Sequence, residues 1–248
     1  MILSNTLHKT LRRMGFDYCR YLPALHAQAR RRKQLQTFGI DLVLDVGANR
    51  GQTGLELRSL GYTGEIVSFE PLTDVFNVLS QVAQQDGAWR AFNVALGSAD
   101  MPSTINISAN SVASSLLDTL PAKLIVAPDA RYIDRQQIEV RTLDSLFDSL
   151  ALQAHNIYLK IDTQGFELEV LAGAARSLPR IGTLQLEMAL TPLYRDGPLF
   201  HQVIEYLAAR DYELVSLEPV FVDGMTGRVL QMDGVFHRYS AEQNHNGN

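Results

Sequence analysis

The stretch LVLDVGANRGQTGLELRSLGYTGEIVSFEP, residues 42–71, decides the fold class. An apolar run at 41–46 ends in a glycine-bearing turn, and an amphipathic segment at 52–60 follows. A second apolar run, 65–69, then closes on an acid, Glu70. This is the order of a strand–loop–helix–strand unit that binds a nucleotide outside the carboxyl ends of its strands. The turn, Asp45-Val46-Gly47-Ala48-Asn49-Arg50-Gly51, decides which nucleotide. A dinucleotide fingerprint reads G-x-G-x-x-G, whereas this turn reads G-x-N-x-G. Gly47 and Gly51 let the backbone come close to a ligand, and Asn49 tolerates left-handed conformations. Asp45 discriminates: a carboxylate beside the loop repels a pyrophosphate and attracts the ammonium of a methionine-like group. The reading favours S-adenosylmethionine. Glu70, 19 residues after Gly51 and at the end of the next strand, is placed to accept hydrogen bonds from both ribose hydroxyls. Pro71 keeps the chain extended before a helix that starts near Asp74. Asn93, closing the run AFNV, is placed to approach an adenine.

Beyond this unit the same rhythm continues. Apolar runs at 90–95, 103–107, 138–140, 156–161, 182–187, 212–217 and 231–237 are candidate strands, and 73–85, 167–178 and 198–209 are helical patterns. In the last helix Phe200, Val203, Ile204 and Leu207 recur at helical spacing. Strand–helix alternation predicts an α/β domain with a mostly parallel sheet and helices on both faces. Residues 97–137 break the rhythm and read as an insertion over the carboxyl edge of that sheet. The tail AEQNHNGN, 241–248, reads as disordered.

Bulk properties narrow the classes. A chain of 248 residues suits one large domain, 37–240, with a core of its own. A single cysteine, Cys19, excludes an internal disulfide and fits a reducing compartment. No apolar run approaches the ~20 residues of a membrane helix, and no signal peptide is expected, so the expected location is the cytoplasm. Charge is uneven. Residues 1–36 hold eight Lys or Arg against one acid, a net of +7; the remainder holds 14 basic and 26 acidic side chains, a net of −12. The leader therefore reads as a basic helical extension, broken near Pro23. One reading has it touch an anionic membrane surface or a phosphorylated carrier; the other packs its Leu and Tyr residues on the domain. Nucleic acid is not an expected partner, because the body is acidic.

The segments DVGANRGQ, FEP, NVALG, SSL, TLDSL, KIDTQGFELEVLAGA, QLEMALTPLY and DGVFHR occur here in one order. In that order the chain resembles FkbM-family methyltransferases over residues 38–238, with KIDTQGFE the most specific segment. The resemblance implies a class I, Rossmann-like methyltransferase fold with a seven-stranded sheet and S-adenosylmethionine as cofactor. It also implies O-methylation, commonly of sugar hydroxyls in glycans or glycolipids and sometimes of polyketide-type products. The acceptor does not transfer with the fold.

Catalytic candidates come from the strand-end rule. NIYLKIDTQGFELEV reads as a buried strand, 156–161, a turn relieved by Gly165, and a helix that Glu167 opens. Asp162 at that strand end is expected to face the cleft of Asp45 and Glu70, either taking a proton from an acceptor hydroxyl or capping the turn. Lys160 shares its side of the strand. Glu187 closes the next apolar run and is read as a second cleft carboxylate or a hydrogen-bonded anchor. No spacing demands a metal ion. His155, His201 and His237 are weaker candidates for a base, Ser114 and Ser115 for an acceptor wall, and Tyr194 and Phe200 for an apolar wall. Two rival functions remain: an NAD(P)-dependent sugar-nucleotide oxidoreductase or epimerase, and a non-catalytic scaffold.

Overall fold

The computed structural model describes residues 5–17, 19–151 and 153–239; the tail expected to be disordered lies outside them. The central element is β1 (Leu42–Val46), in which every residue is buried. It lies parallel to β2 (Glu65–Phe69) on one side and to β7 (Ile157–Ile161) on the other, so that Asp45 stands opposite both Ser68 and Lys160. The sheet continues from β2 to β3 (Trp89–Phe92) and from β7 to β8 (Ile181–Ala189), again in parallel. It ends in an antiparallel pair, β9 (Glu213–Val222) and β10 (Val229–His237). The order is β3-β2-β1-β7-β8-β10-β9. This is the seven-stranded, mostly parallel α/β sheet of a class I methyltransferase.

The two-residue alternation of strands decides which helices lie on which face. Leu42, Leu44 and Val46 point with Leu159 and Leu186 into one core. That core is covered by α6 (Leu143–Leu150), α7 (Glu167–Ala172) and α8 (Phe200–Ala208), through Phe147, Val170 and Val203. Val43 and Tyr158 point to the other face, which is covered by α2 (Ala27–Thr37), α3 (Gln52–Ser59) and α4 (Thr73–Gln84). Leu35, Leu57 and Leu79 supply the helical side of that core. Asp45 and Lys160 have the parity of this second face.

Several elements differ from expectation for local reasons. The strand expected at 90–95 is two, β3 and β4 (Ala95–Leu96). Between them Asn93 leaves the sheet and donates from Nδ2 to the carbonyls of Glu70 and Pro71, at 2.8 and 3.0 Å. The insertion carries a sheet of its own. In it β5 (Met101–Ser108) pairs antiparallel with β6 (Tyr132–Arg141), which also takes β4 in parallel. Ile105, Ile138 and Val140 bury against Leu72 and Val75. A short helix, α5 (Pro121–Val126), lies between β5 and β6. Helix α6, not among the expected elements, starts where Thr142 accepts a hydrogen bond from Ser145 N at 3.2 Å, a side-chain N-cap. Helix α7 ends at Ala172, short of the expected 178, and the residue after it must be glycine, since a Cβ on Gly173 would stand 1.9 Å from Gly97 O.

The basic leader is divided. Helix α1 (Asn5–Arg13) precedes Pro23, as expected, but α2 belongs to the domain: Ala29 and Leu35 are buried. Arg30 donates to Glu218 at 2.9 Å, and Arg31 to Glu56 at 2.8 Å. A boundary at residue 36 would cut this packed layer. Among the described residues no helix is long and apolar enough to cross a membrane.

Candidate active site

A cavity of about 340 Å³ opens at the carboxyl ends of β1, β2 and β7. Its floor is the glycine turn. Gly47, Asn49 and Gly51 have φ of 78°, 47° and 88°, all left-handed. At Gly47 the glycine is doubly required, since a Cβ would fall 1.9 Å from Asp162 O. Asp162 N in turn donates to Val46 O at 3.0 Å. The turns after β1 and β7 are thus laced together at the mouth.

Glu70 stands at the end of β2 and lines the cavity. Its Oε2 accepts from Asn49 N at 2.9 Å and its Oε1 from Leu72 N at 2.8 Å. Burial pushes its carboxyl up to about 7, against those two backbone bonds. Each oxygen has a second lone pair, which leaves two acceptor positions side by side. Pro71 and Leu72 extend this wall, and Phe69, Leu96, Ile105 and Phe166 make the apolar part. Ser111, Ser114 and Ser115 bring the insertion into the wall, and Asn49 Nδ2 donates to Ser111 Oγ at 3.3 Å. Asn93 is exposed and does not line the cavity; it braces the Glu70–Pro71 turn from outside.

Asp45 is not in the wall. Its side chain has no exposed surface, and neither carboxylate oxygen has a hydrogen-bond partner among the described residues. Lys160 Nζ lies 3.4 Å from Asp45 Oδ1 and 3.4 Å from Asp162 Oδ2. Burial lowers the Lys160 pKa, but Asp162 and Asp45 outweigh it and hold the ammonium above its ordinary range. Lys160 lines the cavity and is the cation between a buried and a half-exposed carboxylate. The two acids expected to share the cleft are therefore stacked, with only Asp162 reaching it.

Asp162 is fixed by a residue that the strand-end rule does not reach. Gln164, left-handed at φ 56°, donates from Nε2 to Asp162 Oδ1 at 2.9 Å and to Glu187 Oε2 at 2.8 Å. Its Oε1 accepts from Lys123 Nζ at 2.9 Å and from Tyr194 OH at 2.6 Å. The amide has one sensible orientation here, donors to two carboxylates and carbonyl to an ammonium and a phenol. Glu187 lies behind this amide, outside the main cavity, and also accepts from Gln231 Nε2 at 2.5 Å. Burial, then Asp162 and Glu167, push its carboxyl well up. Lys123, carried in on α5, is buried and also bonds Tyr194 OH; burial draws its ammonium down to about 8. Glu167 turns back on its own loop and accepts from Thr163 N and Gly165 N at 3.1 and 3.0 Å.

The histidines lie elsewhere. His237 closes β10, but β10 runs antiparallel, so His237 pairs with Thr183 near the start of β8, away from the cleft. Its Nδ1 is 2.9 Å from Thr183 Oγ1, and its ring stacks on Phe38. His201 is on α8 and His155 precedes β7; neither lines the cavity. Tyr194 is buried in the Gln164 cluster, while Phe200 is partly exposed.

The sequence from Asp45 to Leu214, more than half the chain, matches the family model described as the methyltransferase FkbM domain. The chain belongs to the FkbM methyltransferase family. Comparison with curated protein sequences finds no match. Among solved structures, the chain is similar to an rRNA methylase from Streptococcus thermophilus, with 10% identity, 87% of this chain and 98% of that one covered, and a TM-score of 0.44. It is also similar to a TehB-like SAM-dependent methyltransferase from Corynebacterium glutamicum, with 15% identity, 94% and 95% covered, and a TM-score of 0.42. A third is a precorrin-6y C5,15-methyltransferase from Geobacter metallireducens, with 14% identity, 86% and 87% covered, and a TM-score of 0.46.

The cofactor of this FkbM protein is S-adenosylmethionine, and the residues present fit it. The cavity volume is within the usual range for a small-molecule site, ~300–1,000 Å³. Glu70 keeps two free acceptor positions for a ribose diol, and the carboxylates of Glu70 and Asp162 outnumber the single cation Lys160 in the wall. A pyrophosphate would meet that negative balance. The family decides against the oxidoreductase reading.

Proposed function

We propose that this FkbM methyltransferase methylates a hydroxyl oxygen of a sugar, carried on a glycan, a glycolipid or a glycosylated metabolite, in the cytoplasm. The observation that carries the reading is the placement of Asp162. It is a half-exposed carboxylate, aimed by Gln164 on one oxygen and Lys160 on the other, at the mouth of the cavity that Glu70 lines.

S-adenosylmethionine, when bound, supplies an electrophilic methyl carbon on a sulfonium that leaves as a neutral thioether. Glu70, the backbone of Gly47 and Asn49, and Pro71 are the residues that would hold it. Asp162 accepts a hydrogen bond from the acceptor hydroxyl and takes its proton as the oxygen–methyl bond forms. Lys160 holds the second oxygen of Asp162 and offsets the charge of Asp45 beneath it. Ser114 and Ser115 line the same cavity, with Ser115 Oγ donating to Gln164 O at 2.7 Å and so tying the insertion to the turn that carries Asp162.

The test is transfer of radiolabelled methyl from S-adenosylmethionine to a panel of free sugars, nucleotide sugars and glycolipids. The expected product yields an O-methyl sugar on acid hydrolysis, and Asp162→Asn abolishes it while leaving S-adenosylhomocysteine binding intact. Label recovered only on nitrogen or carbon, or only in nucleic acid, overturns the reading.

A further inference from the structure

Only part of the basic leader is spent on the domain. In α2, Arg30 is bound to Ser216 Oγ at 3.0 Å, to Glu218 at 2.9 Å and to Pro23 O at 2.7 Å. Arg31 is held by Glu56 at 2.8 Å and faces Asp233 at 4.0 Å. These two cations neutralise acids of the domain, while Arg32 and Lys33 beside them are exposed and form no ion pair among the described residues. Before Pro23 the arrangement is different. Lys9, Arg13 and Arg20 form no ion pair among the described residues, and the Arg12–Asp17 pair at 3.1 Å is open to solvent.

The same short segment displays large apolar side chains. Met14, Phe16, Tyr21, Leu22 and Leu25 are each 38–66% exposed. Isolated exposed apolar residues are ordinary, but five within 12 positions, interleaved with cations, are not. The segment is also tethered. Arg30 bridges Pro23 O to Glu218, and Glu218 stands in register with Asp233, which pairs with Glu187. The tether point is thus on the sheet level of the Gln164 cluster. The β9–β10 turn, with Met225 almost fully exposed, lies toward the same end, because Gln231 pairs with Ala189.

We propose that residues 9–17 and 19–25 form a peripheral docking surface for an anionic lipid bilayer. Charge complementarity selects the occupant. Cations attract anionic headgroups, the aromatic and aliphatic side chains enter the interface, and the body, with its net of −12 beyond residue 36, is repelled and turned outward. Neither signal suffices alone, since firm attachment to a bilayer takes two. Binding by this surface is independent of the acceptor and of the chemistry proposed for the cleft.

The experiment is co-sedimentation of the full chain with vesicles of phosphatidylcholine containing phosphatidylglycerol, against pure phosphatidylcholine vesicles. The parent is expected to bind the anionic vesicles, to bind the neutral ones weakly, and to release as salt is raised. Arg13→Glu with Arg20→Glu is expected to lower partitioning at least ~30-fold, from about fivefold for each lost cation. Phe16→Ser with Tyr21→Ser is expected to lose binding with melting temperature and S-adenosylhomocysteine affinity unchanged. Absence of binding to anionic vesicles, equal binding to both lipids, or parental binding by both double variants overturns the proposal. So does a parent that light scattering shows to be a dimer and that Phe16→Ser with Tyr21→Ser converts to a monomer, because the surface is then covered by a second copy.

Discussion

Lys160 Nζ lies 3.4 Å from Asp45 Oδ1 across the β1–β7 pair, on residues that stand opposite one another in register. Asp45 is wholly buried, which pushes its carboxyl up, and Lys160 is the cation that opposes this, with no other ion pair to Asp45 among the described residues. Lys160→Met is expected to destabilise the protein by about 3–5 kcal/mol, the usual cost of stranding a buried charge. Urea unfolding measures it. Adding Asp45→Asn to that variant is expected to restore most of the loss, and a double variant no better than Lys160→Met would refute the pairing.

Glu70 gives the cofactor site its pH dependence. Its folded carboxyl is raised to about 7, chiefly by burial, and only the ionised form accepts from a ribose diol with both oxygens. S-adenosylhomocysteine is expected to bind about tenfold more weakly at about pH 6 than at about pH 8, with proton release on binding near neutrality. Calorimetry in buffers of different ionisation heat checks both. Glu70→Gln should bind weakly and without this slope.

Two glycines separate backbone strain from collision. Gly61, at φ 87°, has nothing within 4 Å of a would-be Cβ, whereas at Gly47 the Cβ would lie 1.9 Å from Asp162 O. Gly61→Ala is expected to cost about 1–2 kcal/mol, the left-handed penalty alone. Gly47→Ala adds displacement of the β7 turn and should lose S-adenosylhomocysteine binding along with a larger share of stability. Thermal melts with and without ligand compare them, and equal losses in the two variants would contradict the close approach.

Gln164→Glu replaces a double donor by a third carboxylate between Asp162 and Glu187. The new carboxyl has a folded pKa above its unfolded one, so the folded state binds the extra proton and stability falls as pH rises. Relative to the parent, the variant is expected to lose about 1–3 kcal/mol at about pH 8 and little at about pH 5. A pH-independent difference would show that the amide does not bridge the two acids.

The legible part of the site lay where chemistry is local. Gly47, Asn49 and Glu70 sit within one strand–turn–helix–strand unit, and their residue types state the backbone shape of the turn and the acid at the next strand end. Asp45 and Gly51 belong to the same unit but do not line the cavity, the first buried against Lys160 and the second packed against Trp89. Gln164 was not legible. It has no periodicity to mark it, and its partners Glu187, Tyr194 and Lys123 lie 23, 30 and 41 residues away along the chain. Lys123 looked like part of an irregular insertion, and only burial against Tyr194 gives it a role. The position of His237 was not legible either, because an apolar run carries no strand direction and only the antiparallel pairing of β10 sets it away from the cleft.

By itself the sequence determined the alternation of strands and helices and the glycine turn, which follow from hydrophobic period and from φ restrictions. The charge argument from Asp45 for S-adenosylmethionine did not hold, because that side chain is buried against Lys160 and does not line the cavity. Only the tertiary structure decided that Asp45 is buried beneath Lys160 while Asp162 and Glu70 line the cleft, that the insertion folds into its own sheet, and that α2 packs on the domain. Each of those depends on which distant segments pair and on which face a side chain emerges. That choice is made by burial and by ion pairing across registered strands, energies that no single stretch of chain contains.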